Sequence, residues 1–313
     1  MLNFSADDGQ TWSAPRVIQD SAIDDRDAGV TDLGGGHLIV SWFRNDTRQY
    51  VDNNWPSEEE CQSWRPTLDT WTDELVNSLL GSWVLLSADY GATWGPPVRV
   101  PVTAPHGPIR LRAGQAFYLG KRSPAPAEDQ DRSIMAAVSA DGGGTWEERG
   151  RVPLGAGTNA SNVHEPHVVE LPSGRLVGMI RIEDSRELPL AASGVPSFSM
   201  MQTESDDGGW TWTPARPLGF HGSPPHLLRH SSGVLILTYG FRQAPYGQRV
   251  AFSHDDGATW EHDWVIRDDG PDWDLGYPST VEMPDGSLFT VAYQKVPGDA
   301  KCSLLWSRWS LPQ

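Results

Sequence analysis

Apolar residues in this chain come in short runs of five to seven positions, such as SWVLL, SIMAAV, SFSMMQT, QRVAF, PVRVPV, RGRVPL and HDWVI. Glycine, proline, serine and aspartate bound these runs, and most are rich in β-branched or aromatic residues. That is the pattern of short strands rather than helices. No run approaches the ~20 residues that a membrane span needs. One stretch has helical spacing. TLDTWTDELVNSLLG places Leu68, Trp71, Leu75 and Leu79 on one face, with Gly81 as the stop.

The runs repeat in a fixed order. SADDGQTW, SADYGATW, SADGGGTW, SDDGGWTW and SHDDGATW share the pattern Ser-x-Asp-x-Gly-x-Thr-Trp. Four of the five boxes follow an apolar run directly, and a further run or a proline-rich turn comes after each. Each box therefore reads as the turn of a hairpin. Its Asp accepts turn N–H groups, Ser and Thr add local bonds, Gly supplies positive φ, and Trp packs beside the next unit. A second repeat lies upstream. TDLGGGHLIVSWF, VELPSGRLVGMIR, LRHSSGVLILTYG and VEMPDGSLFTVAY are strand, tight turn and strand, and LRAGQAFYLG is a weaker copy. Combined, the repeats give a four-stranded antiparallel sheet arrayed radially, the blade of an all-β propeller. Blades are predicted near 27–105, 106–157, 164–218, 225–268 and 277–310, with a fragment at 1–20. The favoured arrangement is a six-bladed β-propeller whose first blade lacks its leading strands. The alternative is a five-bladed ring closed by the N-terminal strands. The whole chain, 1–313, is read as one domain, with a partly helical insertion at 45–81 on the top face.

Composition narrows the function. A formal net charge of -17 argues against nucleic acid and anionic membrane surfaces as partners. It leaves room for a small anionic ligand held by local arginines. Two distant cysteines, Cys61 and Cys302, read as free thiols. The N-terminus has no basic or apolar leader region, which read literally implies a cytoplasmic protein, and a secreted or periplasmic one if the true start lies upstream of Met1.

If the boxes cap the bottom face, first strands open on the top face near the axis. Counting back nine residues from the turn glycine marks Asp27, Glu165 and Tyr277 in one register, with Pro105 and Pro224 in the other two units. Three ionisable groups in equivalent places are expected to converge on one funnel. Seven to nine residues after the glycine come Arg44, Lys121, Arg181, Arg242 and Gln294, and the strand at Arg249 starts from the same face. Arginines around one mouth suit a carboxylate ligand, since a guanidinium forks onto it. Arg26, next to Asp27, is a further candidate to bind the ligand, and rim ion pairs with Asp24, Asp25 and Glu183 are the structural alternative for these cations.

At this point the residues resemble the sialidase (neuraminidase) superfamily. The boxes resemble its Asp-box, or BNR, repeats. HEPHVVELPSGRLVGMIR is similar to the segment that carries an essential glutamate and, sixteen residues on, a substrate-binding arginine; here these are Glu165 and Arg181. GYPSTVEMPDGSLFTVAYQ resembles the segment with the nucleophilic tyrosine, which falls on Tyr277. The resemblance implies a Tyr277 nucleophile with Glu165 as its base, Arg181 gripping a substrate carboxylate, and Arg242 or Arg249 as a second arm. It departs from the family in two places. No arginine or acid/base aspartate precedes the first box, and the family's late glutamate is Gln294. Asp27, or Asp25 beside it, is the substitute candidate for the acid.

The resulting expectation is an exo-acting glycosidase that releases a terminal sialic acid or related acidic sugar from a glycan or glycoconjugate. A glycosidase for a different glycan and a non-catalytic glycan- or protein-binding propeller are the alternatives. No metal or organic cofactor is implied. His164, His167 and His226 read as hydroxyl-binding or structural rather than metal-ligating. Trp55, Trp64 and Trp71 read equally as sugar platforms or as packing of the insertion, which is expected to rim the funnel.

Overall fold

The computed structural model describes residues 1–52, 56–122 and 131–312. Within them the chain forms five antiparallel sheets in sequence order. The first comprises β1 (Asp24–Gly34), β2 (His37–Asn45), β3 (Gly81–Ser87) and β4 (Val98–Val100). The second comprises β5 (Val102–Thr103), β6 (Ile109–Arg110), β7 (Ala116–Arg122), β8 (Ile134–Ser139) and β9 (Glu147–Arg151). There β5 and β6 pair with successive parts of β7, so one innermost strand is broken in two across Pro105 to Pro108. The third holds β10 (Val163–Glu170), β11 (Leu176–Ile182), β12 (Ser199–Ser205) and β13 (Arg216–His221). The fourth holds β14 (Pro225–Arg229), β15 (Leu235–Phe241), β16 (Tyr246–Ser253) and β17 (Glu261–Gly270), and the fifth β18 (Leu275–Glu282), β19 (Leu288–Lys295) and β20 (Cys302–Trp309).

The core lies between sheets. Leu33, Ile39 and Val84 of the first sheet meet Ala116, Tyr118 and Met135 of the second. Phe117, Leu119 and Ile134 of the second meet Val168, Leu176 and Ile180 of the third. The boxes seal these seams. In all five, the Ser hydroxyl donates to the Asp carboxylate and accepts the Gly N–H, as in Ser139 to Asp141 at 2.8 Å and Gly143 N to Ser139 at 2.7 Å. Each Thr then donates from both its N–H and its hydroxyl to the same Asp, for example Thr145 to Asp141 at 2.9 and 2.8 Å. The box tryptophans pack backward, not onto the next unit: Trp146 joins the seam between the first and second sheets, and Trp212 that between the second and third.

Six blades were the favoured expectation, and the structure has five. LLWSRW is the third strand of the fifth sheet, as expected. The N-terminal residues, however, add no strand to any sheet; they form one isolated bridge, Leu2 to Arg16. They wedge between the last sheet and the first. Trp12 lies 6.4 Å from the Phe289 ring of β19, and Arg16 donates to the carbonyls of Gly91 and Ala92 in the first sheet's box. The half-unit thus closes the ring as a clasp.

Between β2 and β3 lie three helices, α1 (Arg48–Asp52), α2 (Glu58–Leu68) and α3 (Asp73–Leu79). The single helix expected around Leu68–Leu79 is divided because Thr72 is a strong N-cap. Its hydroxyl accepts the Leu75 N–H at 3.1 Å, and Asp73 and Glu74 fill the first turn. Val76 rather than Leu75 or Leu79 is the buried contact of α3. Ser57 and Glu60 form a reciprocal capping box at the start of α2.

Candidate active site

Three of the five first strands break register at the same point. The shift falls between Arg26 and Gly29 in β1, His164 and His167 in β10, and Gly276 and Ser279 in β18. Within each bulge sits a residue with left-handed backbone: Asp27 (φ 52°), Glu165 (φ 47°) and Tyr277 (φ 54°). Bulky residues avoid that region, and a bulge that forces one into it re-aims a side chain that would otherwise alternate with its neighbours.

The bulges bring Glu165 and Tyr277, 112 residues apart, into contact: the Tyr277 hydroxyl donates to Glu165 Oε1 at 2.5 Å. Arg181 Nη1 donates to Glu165 Oε2 at 2.6 Å and reaches the Tyr277 hydroxyl at 3.4 Å, while its Nη2 donates to Glu183 Oε2 at 2.6 Å. Burial would raise the Glu165 pKa, but Arg181 and the Tyr277 hydroxyl bring it below the ordinary value. Tyr277 moves the other way. Burial and the carboxylates of Glu165 and Asp27 push its phenol well above 10, so it is a neutral donor.

Asp27 lies within electrostatic reach of the same pair. Burial, then the charge of Glu165, raise its pKa to about 6. Arg26 beside it donates to the Tyr50 hydroxyl of α1 at 2.8 Å, and its guanidinium lies 5.3 Å from the Tyr50 ring centre. Behind Glu165, Lys121 donates to the Val163 carbonyl at 2.8 Å and lies 3.1 Å from His164 Nδ1. Burial lowers Lys121 to about 8 and His164 to about 3, so His164 is a neutral prop. On the far side, Arg242 Nη2 lies over Gly276, and Tyr293 stacks at a tilt on Tyr277, 5.6 Å between centres.

A neutral phenol bonded to an ionised carboxylate, with an acid beside it and arginines around it, is arranged for attack on an electrophile and proton transfer. Residues 66–290 match the family model described as a BNR repeat-like domain. The chain belongs to this family. No curated protein matches it. Among solved structures, this BNR repeat-like chain is similar to a protein of unknown function from Dyadobacter fermentans, with 24% identity, TM-score 0.73, and coverage of 98% of this chain and 82% of that one. It is similar also to a Hadza microbial sialidase at 18% identity and TM-score 0.61, covering 99% of this chain and 58% of that one. A third is the GH93 α-L-arabinofuranosidase of Fusarium graminearum, at 16% identity and TM-score 0.58, covering 95% and 84%. At these identities the likeness is one of fold.

Other sequence-predicted residues lie elsewhere in this BNR repeat-like ring. Arg249 is buried and spends its guanidinium on the carbonyls of Arg267 at 2.7 Å and Pro245 at 3.0 Å, over the Phe241 ring. Of the two candidate arms, Arg242 is therefore the one beside Tyr277. Arg44 is tied to Asp25 at 3.1 Å and lies over the Trp83 ring, so the rim ion pair won at that position. Asp25 in turn accepts from Trp42 and the Ser21 N–H, which removes it as the acid. Gln294 is buried and donates to Asp269 at 3.0 Å. His226 is not at the funnel surface but buried, stacked 4.5 Å from His167 with His106 edge-on at 5.0 Å. His167 Nδ1 accepts the Leu227 N–H at 2.9 Å and His226 Nδ1 the Thr280 N–H at 3.4 Å. Those lone pairs are used, and among the described residues no cluster of His, Cys, Asp and Glu is arranged to hold a metal. Trp64 and Trp71 are half-buried, and Trp55 lies outside the described residues.

Sequence reasoning missed Tyr50, Phe198 and Tyr293 as parts of the cleft. Tyr50 comes from the insertion, outside the repeat, whereas Phe198 lies in the run SFSMMQT directly before β12, where it reads as one more apolar strand residue. Tyr293 was within reach, one residue before Gln294 on the same rim.

Proposed function

We propose that the chain is an exo-acting glycoside hydrolase that releases a terminal sialic acid or related acidic sugar. The observation that carries this is the 2.5 Å bond from the Tyr277 hydroxyl to Glu165, clamped by Arg181. In the first step the Tyr277 oxygen attacks the anomeric carbon, Glu165 takes the phenolic proton, and Asp27 donates a proton to the departing oxygen. In the second, Asp27 takes a proton from water as the water attacks that carbon, and Tyr277 leaves with the proton held by Glu165. A neutral nucleophile suits a sugar whose anomeric carbon bears a carboxylate, which would repel an anionic one. Arg242, with no ion pair among the described residues, is the arm left to bind that carboxylate.

The test is hydrolysis of a fluorogenic sialoside beside a panel of neutral glycosides. Turnover of the sialoside by the native chain, lost by ~100-fold or more in Tyr277→Phe and in Glu165→Gln, is the expected result. One observation favours a second reading, a glycosidase for a neutral glycan: Arg181 is already neutralised by Glu165 and Glu183. Turnover confined to a neutral member of the panel, with the same dependence on Tyr277, would select it.

A further inference from the structure

Phe198 has a backbone conformation that its own packing does not repay. Its φ is 54°, in the left-handed region that bulky side chains avoid. The residue is 39% exposed and belongs to none of the hydrophobic clusters between sheets. Its frame holds it there nonetheless. The Phe198 carbonyl accepts the Gly222 N–H at 2.8 Å. Ser197 before it accepts the Asp184 N–H on its hydroxyl at 2.9 Å and offers its carbonyl to His221 Nδ1 at 3.2 Å. Strain kept without a packing return marks a position selected for something other than stability.

What the ring touches are two cations. The guanidinium carbon of Arg181 lies 5.4 Å from its centre and that of Arg242 5.7 Å, both within cation–π range. Both arginines also have a buried Nε–H with no partner among the described residues. Arg181 shares its charge with Glu165 and Glu183; Arg242 faces the cleft over Gly276, beside the tyrosine. The shared ring fixes where these two guanidiniums sit, and its exposed part forms an apolar wall next to the place where an anion would dock.

We propose that Phe198 is a specificity-determining residue of this cleft. It positions Arg242 against Arg181 and selects a glycone whose carboxylate lies beside an apolar C–H or acyl surface, over neutral sugars. The inference rests on the hydrolase reading for its ligand class, yet binding can be measured without turnover. The probes are free sialic acid and its methyl ester, which removes the charge and keeps the sugar, titrated calorimetrically into the full chain. The native protein prefers the acid. Phe198→Gly, which suits positive φ, keeps the melting temperature within a few degrees and loses affinity for the acid by about tenfold. Its affinity for the ester, which loses only the contact with the apolar wall, falls by less, so the acid-to-ester ratio drops. Phe198→Leu, which keeps bulk and strain but has no π face, loses the acid preference as well, and Phe198→Tyr restores it. An acid-to-ester ratio that survives in Phe198→Gly and Phe198→Leu overturns the proposal, as does a native protein that shows no preference. Acid preference that depends on Phe198 in a protein that hydrolyses no glycoside overturns the catalytic reading and leaves this one standing. With turnover, the kinetic counterpart is a raised KM in Phe198→Gly while kcat stays within about threefold.

Discussion

Two carboxylates in one cleft are pushed apart by their surroundings, and the proposed hydrolase reading draws on that separation for their roles. Glu165 is held below its ordinary pKa by Arg181 and the Tyr277 hydroxyl, whereas burial and the Glu165 charge hold Asp27 up to about 6. The base must be ionised and the acid protonated. Activity is therefore expected to fall as pH rises through about 6, where Asp27 deprotonates, and to fall again below the ordinary carboxylate range, where Glu165 gains a proton. A kcat/KM profile checks both limbs, and in Asp27→Asn the alkaline limb should vanish along with most turnover of a natural glycoside. The same substitution has a stability sign. A raised folded pKa means that ionised Asp27 destabilises the fold above pH 6, so Asp27→Asn should be more stable than the native chain at pH 8, by on the order of 2 kcal/mol. Chemical denaturation at pH 8 and pH 5 measures it, and the gain should shrink at pH 5. Glu165, Tyr277 and Asp27 were legible in the sequence because one backbone device, the first-strand bulge, recurs at a fixed distance from the turn glycine. Tyr50 was not, because the insertion outside the repeat delivers it, and Phe198 was not, because within the run SFSMMQT nothing distinguishes it from a core-facing strand residue.

At the scale of the element, the box is a clasp whose acid is taken up by bonds within its own turn. All five box aspartates are drawn down to about 2 by bonds from their own threonine and serine. Box glycines differ by what lies over them, and two neighbours separate the backbone effect from the packing effect. Gly142 has φ 78° with open space where a Cβ would go; Gly143 has φ 104°, and a Cβ there would meet Leu86 at 2.7 Å and Ile39 at 3.1 Å. Gly142→Ala carries only the left-handed penalty of about 1 kcal/mol, and Gly143→Ala adds overpacking of roughly 1–3 kcal/mol more. Urea midpoints of the two variants rank them, and equal losses would show that the seam between the first two sheets yields to an extra methyl. Strand positions could be read from the sequence because alternation and turn residues are local signals. The direction in which the box tryptophan packs could not, since a repeat reads the same forward and backward. The divided helix of the insertion turned on Thr72, whose capping outweighs apolar spacing that runs through it.

For the whole molecule, a repeat marks where the units lie but leaves their number, five or six, to how the ring closes. Closure depends on contacts between residues about 280 apart, Trp12 and Phe289, which periodicity does not encode. The axis holds a second non-local feature, the buried group of His106, His167 and His226 from three successive blades. Burial holds all three below 6.5, with His226 at about 4, and their mutual repulsion lowers His106 and His167 further. The folded ring therefore keeps them neutral where the unfolded chain takes up protons. The sign follows: their contribution is complete above pH 6.5 and is lost as pH falls toward 4, by at most about 1.4 kcal/mol per pH unit for each imidazole. Asp27 acts in the opposite sense over part of this window, so the native profile alone is a sum. The difference between the native chain and His167→Gln isolates one imidazole, since a glutamine oxygen can still accept the Leu227 N–H. Unfolding free energies between pH 7 and pH 4.5 should fall less steeply in His167→Gln, by about one proton's worth of slope. Parallel profiles would mean that His167 is already protonated in the fold, and that the axis is wetter than its packing implies.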